Sequence, residues 1–137
     1  MIRRTIATAA LVVAAAGITA APAAPAAADS LGCTATYTIT TVWGGSQSHG
    51  ALAQVTVLNS GSSAIKGWRV SLRYTDGTVV TQVGGAVPLP VIGLPGFYAF
   101  GNESYNGDIP MGGSTTFGLM TSGGGGGRAP SVTCTPV

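Results

Sequence analysis

Glu103 and Asp108 flank Tyr105 in the stretch GNESYNGDIPMGGSTTFG (101–118), and they are half of the four carboxylates in the chain of 137 residues. Two carboxyl groups held roughly 5–10 Å apart can hydrolyse a glycosidic bond, one as acid and the other as base or nucleophile. Asn102 and Asn106 stand beside them with amides that both donate and accept hydrogen bonds. Tyr105 therefore has three readings: a core anchor, a neighbour of an acid pair, or a ring presented to a ligand. The acid pair has a plainer explanation. Asp108 lies in an Asn-Gly-Asp turn and Asp76 in Thr-Asp-Gly-Thr, and Asp is favoured in turns because its side chain bonds the local backbone. His49, the only histidine, sits in GGSQSHG with no acid close in sequence and is expected as an exposed loop residue. There is no nucleophile elbow, no phosphate loop and no metal-spaced cluster, so no catalytic residue, metal or cofactor is expected.

The residue types suit recognition of a neutral sugar better. An aromatic ring removes the apolar C–H face of a sugar from water, and side-chain amides orient its hydroxyls. Trp43 ends a threonine-rich run and enters a polar loop, where Gly44 and Gly45 let the chain turn. In a regular strand its parity with Tyr37 and Ile39 would point it inward; the turn frees it, and exposure is expected. Trp68, Tyr98 and Phe100 are expected in the core. Gln82 alternates away from Val79 and Val83, so its amide is expected in solvent.

These side chains need a rigid scaffold, and the sequence supplies strands. WRVSLRYT (68–75) sets Trp68, Val70, Leu72 and Tyr74 on one face and polar residues on the other, the period of a half-buried strand. ALAQVTVLN (51–59) does the same with Ala51, Ala53, Val55 and Val57. TATYTITTVW, TVVTQV, FYAFGN, STTFGLM and SVTC complete seven expected strands, divided by turn signals such as Asp76-Gly77. This pattern predicts an all-β fold, an antiparallel β-sandwich of immunoglobulin-like or jelly-roll type, with a closed barrel as the lesser alternative. VPLPVIGLPG (87–96) reads as an apolar loop, because Pro88, Pro90 and Pro95 forbid a central strand.

The chain's first part reads as an export signal. Arg3 and Arg4 precede an apolar run, and Ala26-Ala27-Ala28 fits a cleavage site, so residues 1–28 are expected as a secretory signal peptide and 29–137 as a single secreted domain. The residues around the arginine pair fit twin-arginine export poorly, which favours general secretion. No second apolar run approaches the roughly 18 residues of a membrane span. Without Arg3 and Arg4 the formal charge of +2 disappears: Lys66, Arg69, Arg73 and Arg128 face Asp29, Asp76, Glu103 and Asp108. A near-neutral domain lacks the clustered cations that nucleic acid requires. Cys33 and Cys134, one near each end, read in an exported chain as a single disulfide joining the termini.

The runs CTATYTITTVW, AQVTVLNSGSSAIKGWRVSLRYTDGTVVTQ, GNESYNGDIPMGGSTTFGL and APSVTC together resemble the family 2 carbohydrate-binding modules of bacterial cellulases and xylanases. The resemblance runs from Cys33 to Cys134. It implies a β-sandwich with joined ends and a polysaccharide partner: cellulose, or alternatively chitin or xylan. Family members that bind crystalline cellulose present three coplanar tryptophans on one sheet face. The first matches Trp43, the third falls at Tyr105, and at the place of the second stands Gly84, so one platform ring is missing. Polar partners carried over by the resemblance are Gln54, Gln82, Asn102 and Asn106. Xylan-binding members hold an arginine beside the first tryptophan, and none lies near Trp43. Such modules are usually linked to a catalytic domain; here nothing else follows the signal segment, so the chain itself is expected to be non-catalytic. A monomer is expected. The alternative is a structural or adhesive surface protein that kept the fold and lost sugar binding, motivated by Gly84 and by the apolar 87–96 segment.

Overall fold

Alternating side chains give this chain eight strands among the described residues, folded as two four-stranded antiparallel sheets. The computed structural model describes residues 31–44, 49–93, 95–124 and 129–137. The expected signal peptide, 1–28, lies outside the described residues. The strands are β1 (Cys33–Trp43), β2 (Gly50–Asn59), β3 (Trp68–Arg73), β4 (Val79–Gly84), β5 (Ala86–Leu89), β6 (Phe97–Asn102), β7 (Ser114–Ser122) and β8 (Ser131–Pro136). The first sheet runs β1-β2-β7-β4 and the second β5-β6-β3-β8. The expected sandwich is therefore the fold, and the barrel is not.

The core fills the space between the sheets with the residues that alternation assigns to it. Val55, Val57, Phe117 and Leu119 come from the first sheet; Trp68, Val70, Leu72 and Phe100 come from the second, and all are buried. Burying each such side chain stabilises the fold by about 1.5–3 kcal/mol. Trp68 stacks on Phe117 at 5.4 Å between centroids, and Phe100 tilts against the same ring at 5.7 Å. Tyr98 is half-buried, stacks on Phe100, and its hydroxyl accepts the Val80 N–H at 3.2 Å. Beyond Trp68 the core closes with Ile65 and Ile109, which exchange both backbone hydrogen bonds at 3.0 Å. Asn59 anchors the intervening turn: its amide donates to the carbonyls of Ser63 and Ile109 and its oxygen accepts the Gly61 N–H.

The Cys33–Cys134 disulfide joins β1, an edge of the first sheet, to β8, an edge of the second, with Cα atoms 5.6 Å apart. It closes a loop spanning 101 positions. In the chain-entropy model a loop of that size corresponds to about 4–5 kcal/mol.

The structure corrects the reading of 87–96 as a loop throughout. Ala86–Leu89 forms β5 and pairs with β6, Pro88 lying opposite Phe100. Proline excludes a central strand because it has no N–H to give, but β5 is at the sheet edge and has a partner on one side only. Asp76 behaves as expected, its carboxylate accepting from the Thr78 N–H at 3.1 Å and from the Thr78 hydroxyl at 2.6 Å, with Gly77 at φ 85° completing the turn.

Tyr37 and Tyr74 share a hydroxyl–hydroxyl hydrogen bond of 2.8 Å at one end of the core. Burial raises both phenols above their ordinary value of 10.0; for Tyr74 the hydrogen bond with Tyr37 adds to the rise, for Tyr37 the same bond opposes it in part, and the Asp76 carboxylate adds a smaller push to both. A tyrosine whose folded pKa is raised holds its proton in the folded state after the unfolded chain has released it. Stability should therefore be level below about pH 10 and fall as pH rises above it. Urea titrations from pH 8 to 11 check this; the decline should be smaller in Tyr74→Phe.

Candidate functional site

Regular alternation would turn Trp43 into the core. In β1, Tyr37 and Ile39 face inward opposite Val55 and Ala53. The register slips between Ile39 and Thr41, so Thr40 is an extra residue: a β-bulge. Its hydroxyl donates to the Leu52 carbonyl at 3.2 Å. Beyond it the parity is inverted, and Trp43 lies opposite Gly50 in register with the outward-facing Leu52 and Gln54. A Cβ at Gly50 would collide with indole atoms Nε1, Cε2 and Cζ2 of Trp43. The ring is thus laid across Gly50 on the outer face, and the residue is 41% exposed.

A second bulge does the same at the opposite edge of this sheet. In β4 the register slips between Val80 and Gln82, and the Thr81 hydroxyl donates to the Met120 carbonyl at 3.0 Å. Both bulges sit at one level, because Leu52 and Met120 are cross-strand partners. Past the bulge Gln82 and Gly84 face outward, opposite Met120 and Gly118. Gln82 is exposed as expected, but for a different reason: Val79 also faces solvent, and only the extra Thr81 puts Val83 inside and Gln82 outside. Gln54 is exposed opposite Gly118.

Tyr105 is 74% exposed, which disposes of the core-anchor reading. It sits on a turn whose position is fixed from below. The Trp68 indole N–H donates to the Asn106 carbonyl at 2.9 Å. The Asn106 side chain accepts the Glu103 N–H at 2.7 Å and donates to the Gly85 carbonyl at 2.7 Å. The turn carrying Tyr105 is pinned in this way beside the end of β4 that carries Gly84.

The same bonds give two of the expected ligand contacts a structural role. Asn106 is only 8% exposed and its amide is committed to the two backbone groups just named. Asn102 is half-buried; its oxygen accepts the Trp68 N–H at 3.0 Å and its nitrogen donates to the Glu103 carbonyl at 2.9 Å. Both amides hold the turn. His49 is half-buried, not exposed, and its carbonyl accepts the Gly123 N–H at 2.8 Å. Asp108 is exposed and Glu103 half-buried. No group of three or more His, Cys, Asp or Glu side chains is placed to hold a metal among the described residues.

One sheet face therefore gathers Trp43, Gln54 and Gln82, with Tyr105 on the turn beside it. Between the two glutamines lies a solvent-open trough of about 560 Å³ over Gly84 and Gly118, bordered by Leu52 and Met120. Leu52 was legible from the alternation of β2; Met120, Gly118 and the two bulge threonines were not singled out by any sequence signal.

Residues 33–136 match the family model described as the cellulose binding domain. The chain belongs to this cellulose-binding domain family. Endoglucanase A of Thermobispora bispora is 40% identical over 102 residues, which are 74% of this chain and 21% of that protein. The chain spans about a fifth of the length of the curated relatives it matches. Among solved structures, the cellulose-binding family 2 carbohydrate-binding domain from ScLPMO10C has a TM-score of 0.58 at 25% identity, covering 79% of this chain and 99% of that one. The chitin-binding domain of Chi18aC from Streptomyces coelicolor has a TM-score of 0.55 at 28% identity, covering 74% and 90%. On and beside this sheet face the chain has two exposed aromatic residues, Trp43 and Tyr105, and open space above Gly84.

The structural role of Asn106 has a measurable consequence. Asn106→Ala leaves the Glu103 N–H and the Gly85 carbonyl without partners, at a cost of about 2–4 kcal/mol. A lower urea midpoint with an unchanged slope is the expected result.

Proposed function

We propose that the chain is a secreted, monomeric, non-catalytic module that binds an insoluble β-linked polysaccharide, cellulose first and chitin second. Trp43 and Tyr105 supply the stacking rings, and Gln54 and Gln82 supply the amides. The observation that carries this reading is the indole of Trp43 laid across Gly50 on the outer sheet face, an apolar surface held in solvent by a bulge and by a glycine cleared beneath it. The trough between the two glutamines is lined by no ionisable side chain, which matches an uncharged ligand. The cellulose-binding and chitin-binding neighbours support the substrate class. The disulfide supports export into an oxidising compartment, and no helix among the described residues is long and apolar enough to cross a membrane.

By analogy with bases stacked on aromatic side chains, each engaged ring contributes about 1–3 kcal/mol. A platform without a ring at Gly84 is then weaker by roughly one to two decades than one with all three. One observation favours a second reading. Ile92 is fully exposed, with Val87 and Val91 partly so, and this apolar strip suits an adhesive protein that kept the fold without its sugar.

Pull-down on microcrystalline cellulose and on chitin separates the two. Trp43→Ala and Tyr105→Ala should each weaken retention by about tenfold or more. Unchanged retention in both variants would contradict the site. Absence of retention on any polysaccharide, with the fold intact, would contradict the function and leave the adhesive reading.

A further inference from the structure

Gly84 and Gly118 lack the usual reasons for glycine. Neither has a positive φ. Nothing lies within 4 Å of a Cβ at Gly84, and at Gly118 the one neighbour is the Ala53 carbonyl oxygen at 3.9 Å, an ordinary contact. Other glycines on the sheets are accounted for: Gly50 is covered by Trp43, Gly101 abuts the Leu89 side chain, and Gly85 has φ +90°. Glycine in a strand costs stability and commonly marks a bulge, a tight bend, or a place where a ligand or another backbone approaches closely; no backbone approaches these two closely, and the bulge of β4 lies at Thr81. Here the two glycines are direct cross-strand partners, so the open space above them is continuous.

The walls of that space are chemically specific. In register, the row Gln54–Gly118–Gly84 lies next to the row Leu52–Met120–Gln82. Leu52 and Met120, both over a third exposed, make one wall apolar. Gln54 stands at one end of the bare floor and Gln82 at the other side. No ionisable side chain lines it. Neither glutamine amide makes a hydrogen bond among the described residues, whereas those of Asn59, Asn102 and Asn106 are all committed. A site with two free amides, an apolar wall, a bare backbone floor and no charge fits a small neutral group that has a methyl, a donor and an acceptor.

We propose that the trough over Gly84 and Gly118 is a subsite for the acetamido substituent of an N-acetylated β-linked glycan. The acetyl methyl lies against Leu52 and Met120. Its carbonyl accepts from one glutamine amide, and its N–H donates to the oxygen of the other; a primary amide is the uncharged side chain that can serve either role. The trough, about 560 Å³ and open to solvent, has room for this group and the edge of the sugar bearing it. A hydroxyl in the same position leaves the apolar wall unfilled. The subsite rests on the polysaccharide-binding reading and reverses its order of ligands, setting an N-acetylated glycan ahead of cellulose on the same face.

Isothermal titration with two hexasaccharides of the same β-1,4 linkage tests it: N-acetylglucosamine oligomer against cellohexaose. The wild-type chain should bind the acetylated oligomer about tenfold more tightly, the worth of one to two hydrogen bonds and a buried methyl. Gly84→Val and Gly118→Val fill the trough in space the structure leaves empty, and melting curves confirm their folding. In each the ratio of the two affinities should collapse to within about twofold. Equal affinities in the wild type, a preference for cellohexaose, or a preference that survives filling would each overturn the subsite while leaving the module reading in place. Binding of neither oligomer, nor of any insoluble polysaccharide, would overturn both.

Discussion

Strict two-residue alternation is the constraint on which the face depends, and the sheet breaks it once in each edge strand. An unbroken β1 would turn Trp43 to the inner face with Tyr37 and Ile39. An unbroken β4 would invert Gln82, Val83 and Gly84 together. Thr40 and Thr81 absorb the extra residues, and each hydroxyl repays part of the disrupted ladder by donating to a carbonyl of the adjacent strand. Because the bulges lie at one level, the central strands β2 and β7 stay regular and keep the core closed beneath them.

A second dependence runs vertically from core to surface. The indole of Trp68 is buried on one side against Phe117 and bonded on the other to the Asn106 carbonyl. Asn106 converts that fixed point into a fixed turn, through Glu103, and a fixed strand end, through Gly85. The position of the exposed Tyr105 is inherited from its buried neighbour Asn106. The two asparagines spend hydrogen bonds on this backbone, whereas Gln54 and Gln82 point outward from their strands.

The sandwich, seven of its strands, its buried faces and the terminal disulfide were legible in the sequence, because period-2 patterning and two lone cysteines are direct physical signals. The edge strand β5 was hidden by Pro88, whose missing N–H excludes only a strand with partners on both sides. The candidate face was legible as a set of residue types and not as an arrangement. Thr40 and Thr81 look like any strand threonine, and a bulge has no composition of its own. The amides divided in a way no spacing reveals: Gln54 and Gln82 point outward from strands, while Asn102 and Asn106 are consumed by neighbours distant in sequence, Trp68 and Gly85. Gly84 read as a lost ring; the structure shows that it also opens a trough with Gly118, a residue 34 positions away that becomes its neighbour only through pairing of β4 with β7.

The central claim is that the outer face of the β1-β2-β7-β4 sheet, with Tyr105 beside it, is where glycan binds. Amide chemical-shift mapping by NMR with a soluble β-1,4 oligosaccharide addresses it residue by residue. The account predicts perturbation of the Trp43 indole N–H, the side-chain amides of Gln54 and Gln82, and the backbone of Gly84, Tyr105 and Gly118, with the side-chain amide of Asn106 and the indole N–H of Trp68 unmoved. Shifts centred instead on Val87 to Gly96, or on the Asn102 and Asn106 side chains with the Trp43 indole silent, would contradict it.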